Sequence, residues 1–180
     1  MRTFMAIRTN DEVENEMVKI QKFLMDNEFF GTWPRKENAH LTLFFFGDID
    51  EKKIKKIEGI MDDVSKDFKP FSLEFNGVGV FPPKGLPRVL WMRGIGEEVS
   101  ELYSSLNERL KKIGFSFGAE FTPHLTIGRL KGIPKDWNET ISKIEYDPLK
   151  VECKDIELFS STLTPKGSIY NSIHKSEFGG

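Results

Sequence analysis

Two short segments of this chain combine a histidine and a hydroxyl at a spacing that suits chemistry. They are His40-Leu41-Thr42-Leu43 and His124-Leu125-Thr126-Ile127, here called the two tetrads, and they lie nearly half the chain apart. Alternate side chains of an extended strand point to opposite faces, so each His shares a face with the Thr two residues later. Two such strands placed face to face would give one site with two imidazoles and two neutral hydrogen-bond donors.

A pair of histidines near neutral pH supplies both an acid and a base. Imidazole titrates near pH ~6.5, so two of them can hold one proton between them. Phosphodiester cleavage needs that combination, because the attacking water loses a proton, the leaving alkoxide gains one, and the non-bridging oxygens become more negative. We predict His40 and His124 as the acid–base pair and Thr42 and Thr126 as donors to the phosphate. Sequence symmetry leaves the order open; we favour His124 as base and His40 as acid.

A structural strand and a metal site are the alternatives for these histidines. A single tetrad is more often a half-buried strand with a hydrogen-bonded histidine, but the recurrence of all four positions favours chemistry. The third histidine, in His174-Lys175-Ser176, has the same spacing without an aliphatic face, so we expect it at the surface. No His-x-x-x-His pair and no cysteine set is present in the sequence, so no metal is predicted.

Composition indicates a folded protein with one substantial core. The chain has 180 residues, 38% of them hydrophobic, with 16 Phe, and a net charge of -2. That charge argues against a broad polyanion-binding surface but permits a local basic groove. The single Cys153 excludes an internal disulfide, and we expect it in the core or at a sheet edge. Without an apolar run long enough to span a membrane, a cytoplasmic location is expected.

Hydrophobic periodicity predicts the elements that must position the tetrads. We predict strands at 3–7, 40–46 and from 121, helices at 11–27, 50–68, 97–113 and 138–144, and hairpins formed by 71–81 with 89–92 and by 151–163 with 170–178. Each tetrad follows a long helix and a short loop, which indicates a weak internal duplication. The pattern predicts two similar antiparallel lobes that meet at a cleft, within a single domain spanning 1–180.

Two motifs that suggest nucleotide or nucleic-acid binding have plainer explanations. Gly77-Val78-Gly79 lacks the third glycine and the following helix of a dinucleotide loop, so it predicts a bulge or bend. The basic run of 51–56 is followed by acidic residues on the same helix, so it predicts a solvated helix face.

The tetrads and their surroundings resemble the two-histidine phosphoesterases, specifically the LigT-like branch called RNA 2′,3′-cyclic phosphodiesterase or 2′-5′ RNA ligase. Five ordered blocks carry the resemblance, namely MRTFMAI, ENAHLTLFFFG, GVGVFPPKGLPRVLWMRG, FTPHLTIGRLKG and SSTLTPKGSIY. Two positions depart from the pattern of this branch: Ser168 stands where Pro is usual, and Ala39 where a larger apolar residue is common. Neither belongs to the acid–base pair.

The resemblance implies an α+β, bilobal fold with two antiparallel sheets facing across a central cleft, helices on the outside and a pseudo-twofold duplication. It implies no metal and no other cofactor. The expected partner is RNA with a 2′,3′-cyclic phosphate end, which hydrolysis converts to a 2′-phosphate and ligation converts to a 2′-5′ bond. It also implies that His40 and His124 are catalytic and that Thr42 and Thr126 hold the phosphate. A non-catalytic RNA-end-binding module is the alternative, and we expect a monomer that does not enter a membrane.

Further residues are candidate substrate contacts. On a regular strand Arg129 would point away from His124, although a bend at Gly128 would return it to the phosphate, so structural and phosphate-binding roles both stay open. Three cations would contact an RNA backbone near the cleft: Lys84, Arg88 and Arg93. The alternative is that each of them only faces solvent. Three aromatic residues would stack on a terminal base of the RNA: Trp33, Phe81 and Trp91. The alternative is that they pack in the core. Tyr170 is a further candidate, and we expect Phe44 and Phe46 to form the floor of the cleft.

Overall fold

The computed structural model describes residues 1–179, in which nine strands and four α-helices form. The strands are β1 Arg2–Arg8, β2 Phe30–Thr32, β3 His40–Asp48, β4 Phe71–Phe81, β5 Val89–Ile95, β6 His124–Gly132, β7 Leu149–Cys153, β8 Asp155–Thr164 and β9 Gly167–Glu177. The helices are α1 Asp11–Asp26, α2 Glu51–Ser65, α3 Glu97–Lys112 and α4 Trp137–Ser142, with one 3₁₀ turn at Lys36–Asn38.

The strands form two antiparallel sheets, as predicted. The first has the order β3-β1-β8-β9 and the second the order β2-β6-β5-β4-β7. A strand, a long helix and an antiparallel return strand occur once in each sheet, as β1-α1-β3 and as β5-α3-β6. Each return strand begins with the His of its tetrad, so the duplication places both tetrads at equivalent positions.

The helices cover the sheet faces opposite the tetrad histidines. Asn10 and Asp50 cap α1 and α2 by accepting hydrogen bonds from the backbone N–H groups of Val13 and Lys53, which starts each helix where the capping side chain predicts. Apolar residues of the three long helices join the aliphatic residues of both tetrads in one continuous core. This packing points Leu41 and Leu125 into the core. The His and Thr on either side of each leucine therefore face away from the core.

The structure corrects two predicted strands. The segment 151–163 is two strands rather than one, because the chain leaves the second sheet after β7 and enters the first at β8. Buried residues continue on both sides of the crossing at Lys154, and the apolar alternation only shifts by one residue there, from Val151 and Cys153 to Ile156 and Leu158. The second tetrad strand begins at His124 rather than at Phe121; there Pro123 lacks an N–H, and its carbonyl instead accepts a hydrogen bond from Gly94 at 2.9 Å.

The predicted irregularity at Gly77-Val78-Gly79 is confirmed. The register between β4 and β5 shifts between Phe75 and Val78, and Gly77 has a φ of 76°, which favours glycine. Two residues on, the indole of Trp91 packs directly on Gly79, in space that any Cβ would occupy. The absence of a side chain at Gly79 thus allows the indole of Trp91 to pack on β4, with its ring 5.8 Å from that of His124 in the second tetrad.

Cys153 and His174 both lie outside the cleft. Cys153 is buried in β7, as expected, and burial raises the pKa of its thiol to about 12, so it stays protonated. His174 lies outside the cleft but is half-buried rather than exposed, with Nε2 2.8 Å from an oxygen of Asp62. Within residues 1–179, no helix combines the length and hydropathy that crossing a bilayer requires.

Candidate active site

Two adjoining cavities lie between the sheets, one beside each tetrad histidine. The cavity lined by His40 has a volume of about 530 Å³ and the cavity lined by His124 about 970 Å³. Six residues line both and are here called the junction: Phe4, Thr42, Thr126, Arg129, Ser168 and Tyr170. The two predicted hydroxyl donors therefore both line the cavity of each histidine, as a face-to-face arrangement of the tetrads requires.

A β-bulge follows the Thr of the first tetrad. Thr42 pairs with Ala6 and Phe44 pairs with the adjacent Met5, which leaves Leu43 as an extra residue in β3. A bulge bends its strand and changes the face to which the next side chains point. The strict alternation that the sequence predicts for this strand therefore ends at the tetrad.

This bulge corrects the predicted floor of the cleft. Phe44 is buried against Tyr103 with ring centroids 4.5 Å apart, and only part of it lines the His124 cavity. Phe46 lines neither cavity, so the prediction that both form the floor is wrong for Phe46. Phe45 takes the cleft-facing position instead, half exposed, with the guanidinium of Arg2 5.0 Å from its ring.

A second bulge occurs at the same position of the second tetrad. Thr126 and Gly128 pair with consecutive residues of β5, so Ile127 is the extra residue in β6. Regular alternation would point Arg129 away from His124, but the extra residue returns it to the cleft, where it lines both cavities. Of the two open interpretations, the structure thus favours a position in the site over a purely structural one.

His124 is held in one tautomer by a backbone carbonyl just before its strand. Its Nδ1 lies 2.6 Å from the carbonyl oxygen of Thr122, so Nδ1–H donates and Nε2 keeps a free lone pair. The ring meets Phe81 edge-on at 5.2 Å and lies 5.8 Å from Trp91. Burial lowers the pKa of His124 and the charge of Arg129 lowers it further, against an opposing contribution from the Thr122 carbonyl. The imidazole is therefore neutral at pH 7.

His40 is the more enclosed of the two histidines. It is 8% exposed, with ring centroids 4.7 Å from Phe159 and 5.6 Å from Tyr170. Burial lowers the pKa of His40, while the nearby carbonyl of Asn38 raises it. Unlike Nδ1 of His124, the buried Nδ1 of His40 has no hydrogen-bond partner within residues 1–179. Both histidines thus have pKa values below the ordinary ~6.5, and for the same principal reason.

Comparison with known proteins identifies the family. A family model described as LigT like Phosphoesterase matches residues 7–91 and 92–170. The chain belongs to this family. A protein of Thermotoga maritima named RNA 2′,3′-cyclic phosphodiesterase is 41% identical over 182 residues, which cover 100% of this chain and 97% of that protein. One of Archaeoglobus fulgidus with the same name is 36% identical over 98% of this chain and 100% of its own length.

Solved structures of other proteins share the fold. A crystal structure from Thermus thermophilus matches with a TM-score of 0.83 at 24% identity, over 100% of this chain and 99% of that one. E. coli LigT complexed with 3′-AMP matches with a TM-score of 0.75 at 19% identity, over 98% and 97% of the two chains. The α+β fold with two antiparallel sheets, first implied by the resemblance, is confirmed.

The remaining sequence-predicted residues of this LigT-like phosphoesterase lie in different places. Trp33 lines the His40 cavity, packed on Gly128 so that a Cβ there would lie 2.5 Å from the indole. Phe81 lines the His124 cavity, and Tyr170 belongs to the junction. Arg88 lines neither cavity and lies in a separate groove. No cluster of three or more His, Cys, Asp or Glu side chains suited to a metal ion occurs in the described part of the chain.

Sequence reasoning missed the contacts that close the His40 cavity. Asn38 Nδ2 donates to the carbonyl of Ser168 at 3.0 Å, and Arg35 donates to the carbonyl of Lys166. These bonds draw the turn between β8 and β9 over the start of β3, so Lys166 also lines this cavity. Ser168 makes this contact through its backbone carbonyl, an atom that a proline at this position would also supply.

An ion pair beside His40, between the exposed Arg8 and the buried Glu157, was also missed. Both nitrogens of one edge of Arg8 bind the carboxylate of Glu157, at 2.7 and 3.0 Å, and Glu157 is 1% exposed. Burial raises the pKa of Glu157, but its hydrogen bonds with Arg8 and Ser172 lower it by more, so it lies below its ordinary value. The one sequence signal was an acidic residue inside the apolar run Ile156-Glu157-Leu158-Phe159 of β8.

Breaking this pair is expected to destabilise the fold. Arg8→Met leaves a buried carboxylate without its main partner, so the free energy of unfolding in urea should fall by about 2 kcal/mol at pH 7. A lowered folded-state pKa contributes stability that is complete above the unfolded value of ~4.3 and is lost as the pH falls below it. The difference from the parent protein should therefore shrink between pH 5 and pH 3.

Arg109→Met is the matched control for this stability prediction. Arg109 binds Asp63 at 3.1 Å on the exposed surface, where ion pairs contribute ~1 kcal/mol or less. Equal losses in the two variants, or a loss in Arg8→Met that stays constant with pH, would contradict the assigned role of Glu157.

Proposed function

We propose that this LigT-like phosphoesterase hydrolyses 2′,3′-cyclic phosphates at RNA ends to 2′-phosphates, with His40 and His124 as its acid–base pair. The observation that carries the proposal is the junction, where Thr42 and Thr126 line both cavities between the two histidines. The names of the T. maritima and A. fulgidus relatives, similar over almost their whole lengths, support the substrate class.

The proposed reaction needs two proton transfers, one from the attacking water to a histidine and one from the other histidine to the leaving oxygen. With the cyclic phosphate at the junction, neutral His124 takes a proton from water as the water oxygen bonds to phosphorus. The bond from phosphorus to the 3′ oxygen breaks, and protonated His40 gives that oxygen its proton. Thr42 and Thr126 donate to the non-bridging oxygens, and Arg129 balances their charge, which leaves a 2′-phosphate.

The lowered pKa values of both histidines predict an acidic pH optimum. One histidine must be protonated and the other neutral, but burial keeps both neutral above pH ~6.5. The value of kcat/KM should therefore rise as the pH falls from 8 towards 6.5, peak below 6.5, and fall again once the base is protonated. A maximum above pH 7.5, or a flat profile from pH 5 to 8, would contradict the proposed pair.

The test of the function is turnover without added metal. EDTA-treated protein is incubated with an oligonucleotide that ends in a 2′,3′-cyclic phosphate, and the product end is identified by its migration and its sensitivity to phosphatase. We expect a 2′-phosphate. No turnover, or a 3′-phosphate product, would reject the proposal.

Ligation at the same site is the second candidate. Because the junction opens into two cavities, a 5′-hydroxyl end could occupy one while the cyclic phosphate end occupies the other. A gel assay with both ends present separates a 2′-5′ ligated product from hydrolysis. Equal oligonucleotide binding by the parent protein and a variant lacking both histidines, with no product from either, would instead indicate a non-catalytic RNA-end-binding module.

We further propose a single domain, residues 1–180, that acts as a monomer in the cytoplasm. One apolar core joins residues of both sheets, such as Met5 and Leu125, which supports a single folding unit. The exposed large apolar residues come from many different elements rather than from one face, which supports a monomer. Light scattering that gives twice the mass of 20.7 kDa would contradict the monomer.

A further inference from the structure

A separate groove lies at the end of the second sheet, outside both cavities. It has a volume of about 540 Å³, and its lining includes Pro82, Lys84, Leu86, Arg88, Lys131 and Gly132. We call it the basic groove. The turn between β4 and β5 forms one side, and the end of β6 forms the other, held together by a hydrogen bond from Leu130 N–H to the carbonyl of Arg88 at 2.7 Å.

The basic groove concentrates positive charge on a protein that is acidic overall. Lys84, Arg88 and Lys131 line it, and its described lining contains no Asp or Glu, although the whole chain carries a net charge of -2. None of the three cations forms a salt bridge with any residue of the described range 1–179. Such a group of uncompensated cations favours a polyanionic ligand.

The groove continues directly from the junction. Arg129 lines both cavities, and the next two residues of β6, Leu130 and Lys131, line the groove. Lys131 is an extra residue relative to β2, because Phe30 pairs with Gly132 and Gly31 with Leu130. At the end of β4, Phe81 lines the His124 cavity and the next residue, Pro82, lines the groove. The linings of the cleft and of the groove thus follow one another along the chain at two places, the end of β4 and the end of β6.

An exposed aromatic ring stands at the edge of the groove. Phe30 of β2 is 69% exposed, and its ring lies beside Gly132, where a Cβ would be 3.4 Å from Cδ2. Thr32, at the other end of this short strand, lines the His40 cavity. Cations beside an exposed aromatic face are the combination that binds single-stranded nucleic acid, by contacts to phosphates and by stacking on bases.

We propose that the basic groove binds the single-stranded RNA that leads to the reacting end. This inference rests on the proposed function and narrows its substrate to oligonucleotides several nucleotides long. Lys84, Arg88 and Lys131 contact successive backbone phosphates, and Phe30 stacks on a base. Arg88, which the sequence indicates as a candidate substrate contact, would thus bind RNA in the groove rather than in the catalytic cavities.

The test compares a long and a short probe. Fluorescence anisotropy measures binding of a single-stranded 8-mer with a 2′-phosphate end and, by competition, of a nucleoside 2′-monophosphate that is too short to reach the groove. A variant carrying Lys84→Gln, Arg88→Gln and Lys131→Gln should bind the 8-mer about tenfold or more weakly, and its plot of log K against log salt should flatten by about 2. Phe30→Ala should weaken 8-mer binding about tenfold.

The control variant carries the same charge change elsewhere. Lys52→Gln, Lys56→Gln and Lys111→Gln alter exposed positions on α2 and α3, on the far side of the sheets from the cleft. We expect 8-mer affinity within about twofold of the parent protein in this control, and loss of 8-mer but not mononucleotide affinity in the groove variant. Unchanged 8-mer affinity in the groove variant, or equal losses in both variants, would overturn the proposal. Binding needs no turnover, so failure of the hydrolysis assay would reject the proposed function separately.

Discussion

Replacing either tetrad histidine with alanine is expected to lower kcat for cyclic-phosphate hydrolysis by about 10²–10⁴. The reason is that the two histidines have different roles. His124 has a neutral ring with a free Nε2 that can accept a proton, and His40 lines the other cavity beside Thr42 and Thr126, where it can donate one. Neither ring alone can both take the water proton and protonate the leaving oxygen. The variant that lacks both histidines should be little slower than either single variant, since the two act as a unit.

The third histidine provides a matched control. His174 has the same spacing to a hydroxyl residue, Ser176, but both side chains bind Asp62 outside the cleft. His174→Ala should therefore keep kcat within about twofold of the parent protein. Equal turnover by all three single variants would contradict the assignment of His40 and His124.

The order of the pair is a separate expectation. The acidic limb of the pH profile belongs to the base and the basic limb to the acid. With His124 as base and His40 as acid, residual activity in His124→Ala should lose the acidic limb, and residual activity in His40→Ala should lose the basic limb. The opposite result would exchange the roles and leave the paired mechanism intact.

Removing both junction hydroxyls is expected to have the second largest effect. Thr42→Val with Thr126→Val should lower kcat by about 10²–10³, because the donors to the non-bridging oxygens are lost while the β-branched shape is kept. Both side chains are half-buried at the junction, where water replaces them poorly. Each single change should cost less, since the other hydroxyl and Arg129 remain.

Serine substitution distinguishes the contribution of the hydroxyl groups of Thr42 and Thr126 from that of their side-chain shape. Thr42→Ser with Thr126→Ser keeps both donors and should retain kcat within about tenfold of the parent protein. If the serine and valine variants lost activity equally, the threonines would act by packing rather than by binding phosphate.

The tetrads could be located from sequence because they repeat and because strand alternation is local. The consequences of the two bulges could not. Leu43 and Ile127 become extra residues only in relation to the partner strands β1 and β5, and a single sequence does not show that pairing. For this reason the cleft positions of Phe45 and Arg129 required the structure.

Long-range contacts account for the other missed features. The Arg8–Glu157 pair and the bond from Asn38 to Ser168 join residues distant in sequence, and nothing local marks either partner of the second contact. The only local mark of the crossing at Lys154 is a one-residue shift of the apolar alternation, from Val151 and Cys153 to Ile156 and Leu158. Helix starts, in contrast, depend on nearby side chains, and the helices predicted from residues 11 and 50 begin at Asp11 and Glu51, after the capping residues Asn10 and Asp50.

A crystal structure of the protein soaked with a nucleoside 2′-monophosphate tests the central claim most directly. We expect the phosphate at the junction, with its oxygens about 2.7–3.2 Å from a ring nitrogen of both His40 and His124 and from the hydroxyls of Thr42 and Thr126. A phosphate bound outside the cleft, or one that reaches a single histidine while the other is bonded only to backbone carbonyls, would contradict the paired mechanism.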